Sequence, residues 1–260
     1  MTIDADGLRH RDLNVRIREA LSAGETDIEL LNVNGQRYIA AGIESSVRIC
    51  IEGVPGNDLG AFMNGPRILV RGNAQDAIGN TMNEGKIVVH GHAGDVLGYG
   101  MRGGKIFILG DVGYRVGIHM KAYRSQTPVL IAGGTAADFL GEYMAGGILV
   151  ILGIDGRARP IVGDYCATGM HGGAIYLRGP FDFPSTSLGV NAQGKRFDRS
   201  HVATDHARVH DAAAGDIEEL RNHLGEFCQH FSLDLEEIMS EPFAKLTPCS
   251  HRPYGGKYAA

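Results

Sequence analysis

Along the middle of the chain, short runs of β-forming apolar residues end at glycines. Gly53, Gly72, Gly91 and Gly110 follow one another at 19-residue intervals, and Gly133, Gly153 and Gly179 continue at spacings of 23, 20 and 26. Aligned on these glycines, the runs form columns. Four residues before the glycine stand Ile49, Ile68, Ile87, Ile106, Val129, Leu149 and Ile175; two before it stand Ile51, Val70, Val89, Ile108, Ile131, Ile151 and Leu177. Positions two apart share one face of a strand, so seven copies would stack two aliphatic ladders on the same side. The intervening column holds Cys50, Leu69, Val88, Phe107, Leu130, Val150 and Tyr176. Alternation turns it outward, where a solvated sheet would carry polar residues. Leu69, Val88, Phe107, Leu130, Val150 and Tyr176 are therefore candidate interface residues, covered either by the chain's own termini or by a partner.

The methionines report the same unit independently. Met63, Met82, Met101 and Met120 are also 19 apart, Met144 and Met170 follow at 24 and 26, and a small residue lies three places before each: Gly60, Gly79, Gly98, Gly117, Gly141 and Ala167. A unit of this length cannot close a core alone, but stacked units share a continuous one. The expected fold is an all-β solenoid, a single-stranded β-helix of about seven coils over residues 46–180. Each fully buried aliphatic side chain contributes about 1.5–3 kcal/mol, set against the entropy of ordering the coil. Tight corners call for positive φ, which glycine adopts without steric cost, and flexible methionine suits irregular corner space.

The flanks read differently. Leu13, Ile17 and Leu21 have helical spacing, and the runs "DIELLNV" and "QRYIAAG" around Asn34-Gly35 predict a hairpin, so residues 1–45 form an α+β cap. Residues 181–260 are read as a loop, a helix with Ile217, Leu220, Leu224, Phe227 and Phe231 on one face, a shorter helix over "DLEEIMSE", and an extended tail. Solenoid ends expose ladder groups and need such caps.

The stretch "LGYGMRGGKIFILG" contains G-x-G-x-x-G at Gly98, Gly100 and Gly103. A dinucleotide loop needs a helix opening on those glycines, whereas "KIFIL" is a strand, so the glycines belong to the repeat. With 38 glycines, 9 prolines, no tryptophan and a net charge of −5, the composition offers no electrostatic case for nucleic acid or an anionic membrane surface. Cys50, Cys166, Cys228 and Cys249 form no C-x-x-C pair, which argues against a zinc ribbon, an iron–sulfur cluster or a disulfide framework, and they are read as reduced thiols of a cytoplasmic protein. No apolar run reaches membrane-spanning length.

Candidate chemistry is sparse. His201, His206 and His210 are the nearest thing to a metal set, with the last two i,i+4 on a possible helix, but no Glu follows the first as in H-E-x-x-H. His90 and His92 flank a strand-end glycine and are read as solvent-facing. Asp95, Asp111, Asp138 and Asp164 recur near corners; a pair of them could serve a hydrolase, yet aspartate is also a routine turn residue that bonds nearby N–H groups. There is no G-x-S-x-G, and Thr2 rather than Cys follows Met1. No catalytic, cofactor-binding or metal residue is assigned.

The units "GNTMNEGKIVVHGHAGDVLGYGMRGGKIFILGDVGYRVGIHM" and "GGTAADFLGEYMAGGILVILG" closely resemble the glycine-repeat C-terminal domain of the glutamate synthase large subunit over about Ser45 to Gly179. The same module occurs in a subunit of formylmethanofuran dehydrogenase. The flanks "IDADGLRHRDLNVRIREAL" and "RPYGGKYA" resemble the stand-alone form found where that large subunit is split into three proteins. The resemblance implies a right-handed β-helix without catalytic residues. It implies partners that carry the chemistry: a glutaminase-type amidotransferase subunit, and a synthase subunit with FMN and iron–sulfur clusters. The chain would then be a scaffold in a complex making glutamate from glutamine and 2-oxoglutarate. The alternatives are a β-helix subunit of another flavin- or methanofuran-linked complex, such as an N-methylglutamate synthase, or an independent hydrolase.

Overall fold

The computed structural model describes residues 1–154, 160–179, 189–190, 196–197 and 199–250. Its centre is a β-solenoid. Strands β3 (Arg48–Val54), β4 (Asn64–Arg71), β5 (Glu84–Val89), β6 (Lys105–Ile108), β7 (Val129–Ala132), β8 (Ala145–Ile151) and β9 (Gly172–Arg178) pair in parallel, each with the next, and about six turns of chain lie between the first and the last. Ile49, Ile68, Ile87, Ile106, Leu130, Leu149 and Ile175 lie in one register, and Ile51, Val70, Val89, Ile108, Ala132, Ile151 and Leu177 in another. Both columns are buried in one continuous core with Met63, Met82, Met101, Met120, Met144 and Met170. The methionines are core filling.

The expected register slips by one at β7. Leu130 was placed outward, but it pairs with Ile106 and Leu149 and lies in the interior; Ile131, expected inside, faces out. The cause is a five-residue excursion after Met120, pinned by the reciprocal Tyr123–Gln126 backbone bonds. The excursion makes Gly134, whose N–H reaches Gly110 O at 2.9 Å, the counterpart of Gly110 in place of Gly133.

The flanks also differ from expectation. β1 (Thr2–Asp4) and β2 (Asp27–Asn34) pair in parallel, and β2 pairs in parallel with β3, so residues 27–42 form no hairpin. Tyr38, Ala40 and Gly42 instead carry the positive φ values of a solenoid corner (61°, 60° and 64°). The stacking therefore begins ahead of residue 46. Helix α1 (His10–Ser22) closes this end, burying Leu13, Ile17 and Ala20, while Arg18 donates to Ala41 O. At the other end β12 (Ala207–Asp211) and β13 (Phe243–Pro248) turn the ladder antiparallel. A small antiparallel pair, β10 (Gly189–Val190) with β11 (Arg196–Phe197), stands apart from this sheet. Helices α2 (Ala214–Phe231) and α3 (Leu235–Met239) match the predicted pair. Most of the predicted loop after Gly179, and the tail beyond Ser250, lie outside the described residues.

One coil shows why the glycines recur. A Cβ on Gly91 would overlap Asn73 Oδ1, which accepts the His92 N–H at 2.9 Å; one on Gly94 would overlap Asp76 Oδ1, which accepts the Asp95 N–H at 2.9 Å. Gly98 has φ +65° and faces the Leu130 side chain. The next coil repeats the scheme with His92 Nδ1 and Asp95 Oδ1 as acceptors. The corner aspartates thus bond the next coil rather than their own turns: Asp111 Oδ1 takes Thr135 N–H at 2.8 Å and Asp138 Oδ1 takes Asp164 N–H at 2.9 Å. Around Gly98, Val96 (φ 61°) and Gly100 (φ 58°) are left-handed too. The N–H groups of Val96 and Gly100 go forward to Tyr114 O and Ile118 O, and that of Gly98 goes back to Ile78 O. This alternation lets the chain bend without abandoning its ladder, although left-handed geometry costs about 1–2 kcal/mol at a non-glycine residue.

The outer stripe is covered from within. Val88, Phe107, Ile131, Val150 and Tyr176 pack under Leu220, Leu224, Phe227 and Cys228 of α2, with Leu69 partly buried at the margin. The Phe107 and Phe227 rings meet edge to face at 5.7 Å. Lys86 and Lys105 both pair with Glu226, and Asp216 accepts from Tyr176 Oη (3.0 Å) and Lys245 Nζ (2.5 Å). The buried Arg178 donates through Nε to Ile238 O at 2.8 Å, tying down α3. Of the two occupants the sequence left open for this stripe, the chain's own helix takes it. The candidate interface residues Val88, Phe107, Val150 and Tyr176 are core.

Two tests follow from this packing. Gly79→Ala puts a methyl against Ile106 Cδ1 at φ +66° and should cost about 2–4 kcal/mol. Ile106→Val removes that Cδ1 and alone should cost about 0.5–1.5 kcal/mol. Denaturant melts should find the double variant more stable than the sum of the two; strict additivity would refute the contact. The second test uses pH. Burial, then Lys105, lowers the His223 pKa, and burial, then Lys86, lowers that of His230, from an ordinary 6.5. Burial alone would raise the Glu226 carboxyl, but bonds from Lys105 and Lys86 outweigh it and the net shift is downward. The unfolded chain takes up protons at higher pH than the folded chain at all three sites. The stability they contribute is therefore full above about pH 6.5, falls as the histidines protonate, and falls again below the ordinary carboxylate range near 4.5. Hydrogen exchange corrected for intrinsic rate should show α2 amides losing protection at pH 5 relative to pH 7.5 while β5–β8 hold theirs. Equal protection of α2 at both values would contradict this.

Candidate interaction surface

With the strand face covered, the left-handed corners form the conspicuous open surface. The segments 56–62, 75–81, 94–100, 113–119, 137–143 and 163–169 stack there coil upon coil. Their inward residues Leu59, Ile78, Leu97, Val116, Leu140 and Cys166 are fully buried. Burial pushes the Cys166 thiol up to about 12, so it is inert at neutral pH.

The outward positions of the later coils are aromatic. Tyr99, Tyr114, Tyr143 and Tyr165 are 39%, 51%, 46% and 58% exposed. Three of them pack on neighbouring rings of the corner: His119 stacks on Tyr143 (5.4 Å, 11°), Tyr99 meets His119 edge-on (5.8 Å, 83°), and Phe139 stacks on Tyr165 (4.9 Å, 14°). Arg115 lies 4.6 Å from the centre of the Phe139 ring while pairing with Glu142. Because Arg115, His119, Phe139, Tyr143 and Tyr165 all have left-handed backbone, their side chains project from fixed points. Rigid aromatic side chains offer contact area at low entropic cost. Column alignment on the glycines and methionines passes over these residues, because they lie between the two tracked positions and vary in type from coil to coil.

The corners are also acidic. Their six segments hold six carboxylates, Asp58, Asp76, Asp95, Asp138, Glu142 and Asp164, against the single guanidinium of Arg115. An open groove of about 700 Å³ elsewhere runs beside the cation row Arg48, Arg67, Lys86 and Lys105, and it is lined as well by Glu44, Glu84 and Glu226.

The candidate histidines do not converge. His201 Nδ1 meets Asp164 Oδ1 at 2.8 Å, His206 sits in a turn, and His210 lies in β12 with Nε2 at 3.2 Å from Thr247 Oγ1. No helix carries the last two, because the alternating "ARVHD" pairs as a strand with β13. His90 and His92 are exposed as expected, and His92 also accepts the Asp111 N–H through Nδ1 at 2.9 Å. Among the described residues no group of three His, Cys, Asp or Glu side chains could hold a metal ion. No described helix is long and apolar enough to cross a membrane.

The comparisons agree with the repeat. The chain is 45% identical over 267 aligned positions to the "Uncharacterized protein MJ1350" of Methanocaldococcus jannaschii, an alignment that covers 99% of this chain and 96% of that one. A family profile described as the GXGXG motif matches residues 26–248, from the start of β2 to the end of β13. The spacing Gly91-x2-Gly94-x3-Gly98 and its copies at Gly53, Gly56 and Gly60 and at Gly110, Gly113 and Gly117 lie inside the matched range. A chain whose stacked corners are built on this glycine pattern along its length belongs to the GXGXG motif family, which also contains the repeat domain of glutamate synthase.

Proposed function

We propose that this protein is the stand-alone scaffold subunit of a glutamate synthase-type complex, a right-handed β-helix that performs no chemistry itself. It holds a glutaminase-type amidotransferase subunit and an FMN and iron–sulfur synthase subunit in register, so that ammonia released from glutamine reaches 2-oxoglutarate without escaping. The observation that carries this reading is the GXGXG match over residues 26–248. The archaeal relative supports the stand-alone form, because 96% of its own length aligns with this chain. The interior fits the role: its inward columns are aliphatic or methionine, and the corner carboxylates that a hydrolase would need are engaged in bonds to the next coil. Recognition is left to the outside of the coil.

Reconstitution tests the proposal. The three subunits together should give glutamine-dependent glutamate formation, while the two partner subunits without this chain should keep glutaminase activity and ammonia-dependent synthesis but lose most of the coupling between them. Full coupling without the chain, or failure of the chain to associate with either subunit, would reject it.

A further inference from the structure

The acidic aromatic corner invites a specific kind of occupant. Six carboxylates lie against one guanidinium on stacked segments, and four tyrosines project among them. Successive strands lie about 4.8 Å apart, so carboxylates on adjacent coils stand closer than a Debye length and reinforce one another's field. That field repels nucleic acid and anionic membranes. It attracts cations, and the aromatic faces select among them: guanidinium groups stack on rings and pair with carboxylates at once. The chain itself displays this mode, with Arg115 over the Phe139 ring and paired with Glu142.

From this geometry we infer that the corner of the later coils, centred on Tyr114, Tyr143 and Tyr165 with Asp95 and Asp138, is a docking surface for a protein partner that presents an arginine- and lysine-rich patch. Charge complementarity identifies the occupant. The strand face is closed by α2, Arg48 pairs with Asp27, and Lys86 and Lys105 pair with Glu226, whereas among the described residues Asp58, Asp76, Asp95 and Asp138 of the corner pair with no cation and stand beside exposed rings. The identity of the partner rests on the scaffold reading above; the chemistry of the patch does not.

The test uses the full chain and a variant combining Asp95→Asn, Asp138→Asn, Tyr143→Asn and Tyr165→Asn. Asparagine keeps the side-chain oxygen that accepts the next coil's N–H, and it tolerates the left-handed backbone at both tyrosines. Its melting temperature serves as the folding control. Two probes are applied: nona-arginine peptide by fluorescence anisotropy, and the recombinant FMN/iron–sulfur synthase subunit by hydrogen exchange. The peptide should bind the parent with an affinity that falls steeply with salt, and the variant at least tenfold more weakly. In the complex, protection should fall on segments 113–119, 137–143 and 163–169. A complex whose footprint lies on the Arg48–Lys105 face would overturn this inference and leave the scaffold reading standing. No complex would sink the scaffold reading, and the peptide would then decide the corner alone. Equal peptide binding by parent and variant, or dimerisation of the chain through these segments in sedimentation, would overturn the inference.

Discussion

Every coil must give its backbone hydrogen bonds to the coils above and below. That requirement sets the distance between neighbouring turns at about 4.8 Å and leaves little room between their backbones for a side chain. Gly91 and Gly94 are where this is most acute, since the acceptor atoms of Asn73 and Asp76 occupy the volume a Cβ would need. The glycine pattern is thus a record of where one turn of chain touches the next. It also explains how a polypeptide so rich in conformationally free residues becomes ordered: stacked glycines such as Gly53, Gly91, Gly94 and Gly113 lose their freedom to a close approach that a Cβ would not permit.

Stacking divides the chain into an inside and an outside, and the two have different tasks. Inside, Ile, Val, Leu, Ala and Met columns merge into one core that spans all the coils. Outside, the strand face would be a sticky aliphatic wall if left bare, and α2 removes it from solvent through Phe227, Leu224 and the shared Glu226. What the chain leaves uncovered then acquires meaning. Among the described residues the left-handed corner carries no covering helix, and it is there that tyrosines and carboxylates gather.

Much of this was legible in the sequence, and the exceptions are physical. The repeat, the inward ladders, the methionine filling and the two C-terminal helices follow from period and amphipathicity. The β7 slip was missed because adjacent Gly133 and Gly134 offer two alignments; the Met120–Met144 spacing of 24, one more than the glycine spacing, already pointed to the second. The hairpin at Asn34-Gly35 was a sound local reading that tertiary stacking overrode, since Ala40 serves as the corner's small residue without being glycine. The bonds from Asp95 and Asp111 join residues 19 and 24 apart, which no local window relates. Most of all, pattern could not tell whether the outer stripe met a partner or the chain's own helix, because both coverings demand the same apolar surface.

The most direct test of the account is to remove one unit of the stack. Deleting Val54–Gly72, nineteen residues, joins Gly53 to Asn73 and lets β3 pair with β5 in the register that Ile49 and Ile87 already share through Ile68. Deleting Val54–Met63, ten residues, removes a corner and leaves a strand with nowhere to turn. Thermal melts followed by circular dichroism should show a cooperative β-rich transition for the nineteen-residue deletion and none for the ten-residue one. Damage that grew with the number of residues removed, irrespective of the repeat, would contradict the claim that the coil is the unit of structure.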